Sequence, residues 1–123
     1  MSKMLREIQV LSASRMHKQL YVAFTYPTAS AADTIPYLAE HLRYMAASEA
    51  GVFLSGPFLK EGQLPSESMT ILHTDSEIKA AEFMRNDPLV RRGLRRFDLK
   101  RWEILEGTLT FSCQLSAAQI HLK

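Results

Sequence analysis

Cysteine is all but missing from this chain: its 123 residues include one, Cys113. A lone thiol closes no disulfide within the chain and leaves too few soft ligands for a structural zinc site, so a reducing compartment, the cytoplasm, is expected. Charge of one sign is also lacking. The formal net charge is only +2, too small to imply a nucleic-acid or membrane partner. No apolar run approaches the roughly 20 residues that span a bilayer. Repeats and low-complexity segments do not occur. Nor does a phosphate-binding glycine loop, a zinc-protease His-Glu-x-x-His or a nucleophile-elbow Gly-x-Ser-x-Gly. The expectation is a chain that works without cofactor or metal.

What is present reads as globular. Hydrophobic residues make up 46% and charged residues 23%, which is not the composition of a disordered chain. The length suits one domain, whose limited core would gain from subunit association. In residues 1–18, Lys3, Arg6, Arg15 and Lys18 interrupt Met4, Leu5, Ile8, Val10 and Leu11, so no continuous leader-type apolar segment forms. With serine and the single acid Glu7, the stretch faintly resembles an organelle transit peptide. It is read instead as an N-terminal arm.

Gln19–Tyr26 is rich in β-branched and aromatic residues and stops at Pro27, as a strand does. Asp33 or Thr34 is expected to cap a helix with Pro36 in its first turn. Ile35, Leu38, Leu42, Met45 and Ala46 form its apolar stripe, with Glu40, Arg43 and Tyr44 on other faces, and Gly51 ends it. Val52–Leu54 reads as a short strand broken by Ser55, Gly56 and Pro57. Lys60–Ser66 is a polar hairpin connection and Ser68–His73 a third strand. Thr74-x-x-Glu77 has the form of a capping box for a second helix ending near Asn86. Pro88 sets its limit, and Pro88–Gly93 adds one helical turn. Phe97–Leu105 is the last strand, with a change of phase near Lys100 that suggests a bulge. Leu109–Leu115 is strand-like again.

The order β-α-β-β-α-β is that of the ferredoxin-like split βαβ, an α+β fold with a four-stranded antiparallel sheet. Two helices cover one face of such a sheet. The other face needs a partner, and a second copy packed sheet to sheet, forming a dimeric α/β barrel, is the expected solution.

Few residues are candidates for chemistry. His41 lies at the border of the first helix's apolar stripe, half buried, where an imidazole with an ordinary pKa of about 6.5 can donate or accept a proton. By position alone, a flanking helix histidine that merely hydrogen-bonds is the favoured reading. Asp87 extends the Ala80, Phe83, Met84 face of the second helix, at a C-terminal end where the dipole disfavours a carboxylate. It is either functional or the cap of the Pro88 turn. Gly56 with Pro57, directly after a strand, permits close backbone approach to a ligand or simply a sharp bend. Arg91, Arg92, Arg95, Arg96, Lys100 and Arg101 form a basic run, read as a solvated face with one arginine available to guide an anionic substrate. His73 is read as structural.

Taken together these features resemble the YCII-related (YciI-like) family over residues 19–105. They are the opening strand Tyr21–Tyr26, His41-Leu42 in the first helix, the stretch Gly51–Phe58, then Asp87-Pro88-Leu89-Val90 followed by Gly93. Residues 1–18 and 106–123 stand outside the resemblance as an arm and a C-terminal extension. The resemblance implies a dimeric ferredoxin-like fold related to muconolactone isomerases and to a dehydrochlorinase of chlorinated hydroxyquinones. It also implies a paired histidine and aspartate in a pocket, falling on His41 and Asp87. The expected function is proton-transfer chemistry, elimination or isomerisation, on a small organic molecule. His41 would be the acid or base, Asp87 its orienting carboxylate, and Ser55, Gly56 and Pro57 would shape the substrate site. The alternative is a module that binds a small molecule or dimerises without catalysis. A homodimer or larger homo-oligomer is expected in either case.

Overall fold

The computed structural model of the chain describes residues 2–13, 18–48 and 51–110. Elements follow in the order α1 (Lys3–Ala13), β1 (Lys18–Pro27), α2 (Ala31–Ala47), β2 (Val52–Pro57), β3 (Ser68–Leu72), α3 (Glu77–Arg85), α4 (Pro88–Arg91) and β4 (Arg95–Ile104). Gln19–Trp102 forms one compact unit; a second draws on both ends of the chain. Within the second, Met4, Leu5, Ile8 and Leu11 of α1 share one helical face, all exposed. Ser2 Oγ accepts from Leu5 N at 3.2 Å and starts the helix. The sequence reading saw only interrupted apolar residues in this stretch, yet their spacing is helical. Of the strand expected at Leu109–Leu115, residues 109–110 carry no regular structure and the remainder lies outside the described residues.

The sheet is four-stranded in the order β2-β3-β1-β4. β3 runs antiparallel to both β1 and β2. This is the α+β, ferredoxin-like arrangement. Each helical connection carries the chain back along the sheet before the next strand enters, and no two strands joined by a helix lie side by side. β1 is central, and Leu20, Tyr21, Val22 and Ala23 are all buried.

The register Tyr21↔Leu72, Ala23↔Thr70, Thr25↔Ser68 puts those six residues on one face, since side chains alternate along a strand. On that face Tyr21, Ala23 and Leu72 meet Ala80 and Met84 of α3, flanked by Val52, Phe83, Phe97 and Leu99. Ala23 and Ala80 have no exposed surface; two small side chains let helix and sheet approach closely. Burying Leu72 or Met84 contributes about 1.5–3 kcal/mol each.

Several local expectations need correcting. The cap of α2 is Ser30, whose Oγ accepts from Asp33 N at 3.2 Å. Asp33 is therefore a first-turn acid beside the positive end of the helix dipole rather than the cap. The cap of α3 is Ser76, accepting from Lys79 N, while Thr74 Oγ1 accepts from Ser76 N in the preceding turn. β2 runs on through Ser55, Gly56 and Pro57, paired with Thr70, Met69 and Ser68. Proline is tolerated there because β2 is an edge strand. The register shift in the β2–β3 pair lies between Val52 and Leu54. β4 begins at Arg95 rather than Phe97; its burial alternates up to Lys100 and not beyond.

The largest correction concerns α2. Most of the predicted inward stripe is exposed: Ile35 is 66% and Leu42 59% accessible, and Leu38 is exposed too, while Met45 is partly buried as expected. The inward face is displaced by one residue, about 100°, to Thr34, Tyr37, His41 and Tyr44, all partly buried. Each of the four has a partner. Thr34 Oγ1 donates to Ser30 O at 3.0 Å and Tyr37 lies under the Arg92 guanidinium at 4.2 Å. His41 meets Asp87, and the Tyr44 hydroxyl donates to Phe83 O at 2.7 Å.

Candidate acid–base site

Asp87 stands between α3 and α4, in extended backbone (φ −58°, ψ 127°), because the residue before a proline is held out of the α region. Its Oδ1 accepts from Leu89 N at 2.9 Å and caps α4, whose first residue is Pro88. The carboxylate thus faces the N-terminal end of a helical turn, where negative charge is favoured, rather than only the unfavourable end of α3. The structure turns the chain out of α4 at Gly93, which has φ +73°, a conformation that favours glycine.

On the same buried carboxylate falls the imidazole of His41, with Nδ1 at 2.9 Å from each oxygen. The side chains of His41 and Asp87 are 24% and 6% accessible. An ionised carboxylate only accepts, so Nδ1 carries the hydrogen. In the neutral ring Nε2 is then the lone-pair nitrogen. The two residues singled out in sequence are brought together, and the capping and pairing roles of Asp87 coexist.

Around the pair the helix-covered face of the sheet changes character. Tyr21, Ala23, Leu72, Phe97 and Leu99 are apolar. One or two residues further towards the end where β1 and β2 finish and β3 and β4 begin, the same face carries Thr25, Thr70, Ser68, Ser55 and Arg95. Thr25 Oγ1 and Ser68 Oγ are hydrogen-bonded to each other, and Ser55 Oγ lies 2.8 Å from Thr70 Oγ1. Thr25 and Thr70 are buried. Asp87 follows α3, which returns from the end of β3, and so arrives at this polar end.

Arg95 reaches across β1. Its Nη2 donates to Thr25 Oγ1 at 2.9 Å, to Thr25 O at 3.1 Å and to Ser66 O at 2.5 Å, and its Nε to Thr25 Oγ1 at 3.3 Å. Burial pulls the guanidinium pKa below the usual arginine value, and the Asp87 charge pulls the other way. Burial, then the Asp87 charge, hold the Tyr44 hydroxyl above its ordinary pKa, against an opposing pull from Arg91. Asp87 is felt by both groups.

Ser55 and Thr70 connect within the polar row, but Ser55, Gly56 and Pro57 are all exposed on the edge strand. A Cβ added at Gly56 meets nothing within 4 Å, so no close backbone approach explains that glycine. The sequence reading missed Tyr44, placed on an outer face, and did not single out Arg95 within its basic run. The one signal for Arg95 is its parity with Phe97 and Leu99. The rest of the run divides: Arg92 pairs with Glu40 at 3.2 Å, Arg96 lies 4.5 Å from the Tyr26 ring, and Lys100 lies 5.5 Å from Phe24.

A cavity of about 250 Å³ opens on the opposite face of the sheet, lined by Val22, Phe24, Met69, Ile71, Lys100, Arg101 and Trp102. It does not include the His41–Asp87 pair. Among the described residues no three His, Cys, Asp or Glu side chains gather as a metal site, and no helix is long and apolar enough to cross a membrane.

No family model matches the chain, and no curated protein does. Solved structures do. The 5-chloro-2-hydroxyhydroquinone dehydrochlorinase TftG of Burkholderia phenoliruptrix AC1100, solved with 2,5-dihydroxybenzoquinone, is 26% identical. The likeness covers 68% of this chain and 92% of that one, with a TM-score of 0.60. A candidate antibiotic biosynthesis monooxygenase of Deinococcus radiodurans is 16% identical over 76% of this chain and 99% of its own, TM-score 0.44. A dimeric ferredoxin-like protein from an uncultured marine organism is 13% identical over 77% and 100%, TM-score 0.35. The likeness to TftG is one of fold, the ferredoxin-like α+β arrangement described above. The last two add nothing about chemistry.

Proposed function

We propose that this chain is a YCII-related protein that moves protons on a small organic molecule without a cofactor, His41 acting as base or acid and Asp87 as its orienting carboxylate. The supporting observation is the 2.9 Å contact between His41 Nδ1 and the buried Asp87. A carboxylate in that place fixes the tautomer and stabilises the imidazolium formed when Nε2 takes a proton. The likeness to TftG favours a hydroxylated ring as substrate and elimination as reaction. Loss of hydrogen chloride needs a proton taken, a proton placed and chloride released; no electrons change hands, so acid–base groups suffice.

The domain would comprise residues 19–105, with 1–18 as an arm and 106–123 as an extension, in a cytoplasmic homodimer closed through the open sheet face. Neither nucleic acid nor membrane enters this reading. Ser55, with Gly56 and Pro57 beside it, would border the substrate through the hydroxyl row.

The test is chloride release from 5-chloro-2-hydroxyhydroquinone. His41→Gln is expected to lower turnover by about a hundredfold or more, the usual worth of a placed general acid or base. Turnover equal to that of the parent chain rules the role out. A second reading rests on the cavity of the opposite face, whose apolar walls and two cations suit a bound metabolite. On that reading the chain is a non-catalytic binding module, binding survives His41→Gln and Trp102→Ala abolishes it.

A further inference from the structure

Arg95 is a half-buried cation whose hydrogen bonds all go to neutral oxygens, with the Asp87 charge acting on it from nearby. Its Nε and Nη2 are spent on Thr25 and Ser66 oxygens. Nη1 takes no hydrogen bond within the described residues, and none of the ion pairs found there includes Arg95. A guanidinium held by three uncharged oxygens keeps its full positive charge, and one arm of its fork remains to be used. Arg92, Arg96 and Lys100 lie against an acid or an aromatic ring, and Arg101 donates to the Gln19 amide oxygen. Arg95 points the other way, onto the helix-covered face, at the end of the sheet to which α3 delivers Asp87.

The hydroxyls of Thr25, Ser68, Thr70 and Ser55 lie on the same face and end. Two hydroxyl pairs, Thr25–Ser68 and Ser55–Thr70, beside one fixed cation suit an ionised oxygen on a small molecule. An uncharged ligand would leave the guanidinium arm unpaired. We propose that Arg95 is the anion-recognising residue of this site, and that the ligand is a small organic anion of the ionised-hydroxyl class presented to Nη1. The proposal rests on the acid–base reading of the same site and adds the charge state of its substrate. An ionised hydroxyl held by Arg95 leaves the remaining ring proton to be moved by His41. The cation lowers the energy of the ionised form without taking the proton itself.

The experiment compares two probes by calorimetry: 2,5-dihydroxybenzoquinone, which ionises readily, and its neutral dimethoxy ether. The parent chain is expected to prefer the anion. Arg95→Gln should lower affinity for the anion by about tenfold to a hundredfold, as loss of a hydrogen bond to a charged group does, and leave the ether within about threefold. A merely bracing Arg95 would weaken both probes alike, and that outcome overturns the proposal. So does unchanged affinity, or a parent chain that does not bind the anion or prefers the ether. Should Arg95→Gln fail to fold, Arg95→Lys decides by the same ratio. Lysine keeps the charge and loses the planar fork, so the preference should fall several-fold, and an unchanged ratio again overturns the idea. His41→Gln separates the two claims: it should abolish chloride release while sparing the anion preference. If it spares both, the acid–base reading fails and the Arg95 assignment stands.

Discussion

Asp87 caps a helical turn and holds an imidazole with the same carboxylate, so its substitutions divide by what they preserve. Asparagine can still accept from Leu89 N; alanine cannot. Asp87→Ala is expected to cost about 1–2 kcal/mol more than Asp87→Asn in denaturant unfolding, the worth of a cap. Equal losses would show that the cap contributes nothing. Gly93 offers a second residue-scale check. Its positive φ strains any L side chain, yet an added Cβ meets nothing within 4 Å. Gly93→Ala should therefore cost about 1–2 kcal/mol from backbone conformation alone. His41 and Asp87 stood out in sequence as candidates because each broke a local pattern, a polar residue at an apolar border and an acid at a helix C-terminus; their pairing came from the family resemblance. Arg95 broke none, since arginines surround it.

Among the elements, α2 separates what pattern reading can do from what it cannot. The helix was legible, and its facing was wrong by one residue. Periodicity ranks apolarity, but Tyr37, His41 and Tyr44 are drawn inward by Arg92, Asp87 and Phe83 O, a tertiary effect with no sequence period. Ile35, Leu38 and Leu42 are left outside. Leu42→Gln should then shift stability by no more than about 0.5 kcal/mol, whereas Met84→Ala in α3 should cost about 2–5 kcal/mol. Chemical denaturation of the two variants checks the facing directly. Tyr44 supplies a pH test. Its folded pKa is raised, so the folded state holds the proton longer than the unfolded chain. Its contribution is whole below the ordinary tyrosine value of about 10 and is lost as pH rises through the folded value. The thermal midpoint should fall above that pH, less steeply in Tyr44→Phe.

For the whole molecule, the element order and sheet were readable because strands, breaks and helix limits are written in β-branched runs, Pro27, Pro88 and Gly93. The polar end of the helix-covered face was not, because it is assembled from one or two residues of each of the four strands. Thr25, Ser55, Ser68 and Arg95 lie on four different strands and are unremarkable one by one; only pairing and register bring them to one end of one face. What the fold does is bring a carboxylate from the end of α3 and an imidazole from α2 within 2.9 Å of each other. The most direct test needs no substrate: nitrogen-15 NMR of the His41 ring in its neutral form. If Asp87 holds the imidazole as argued, the proton resides on Nδ1, against the Nε2–H form that free histidine prefers, and Asp87→Ala restores the Nε2–H form. A His41 ring already protonated at Nε2 in the parent chain would contradict the account.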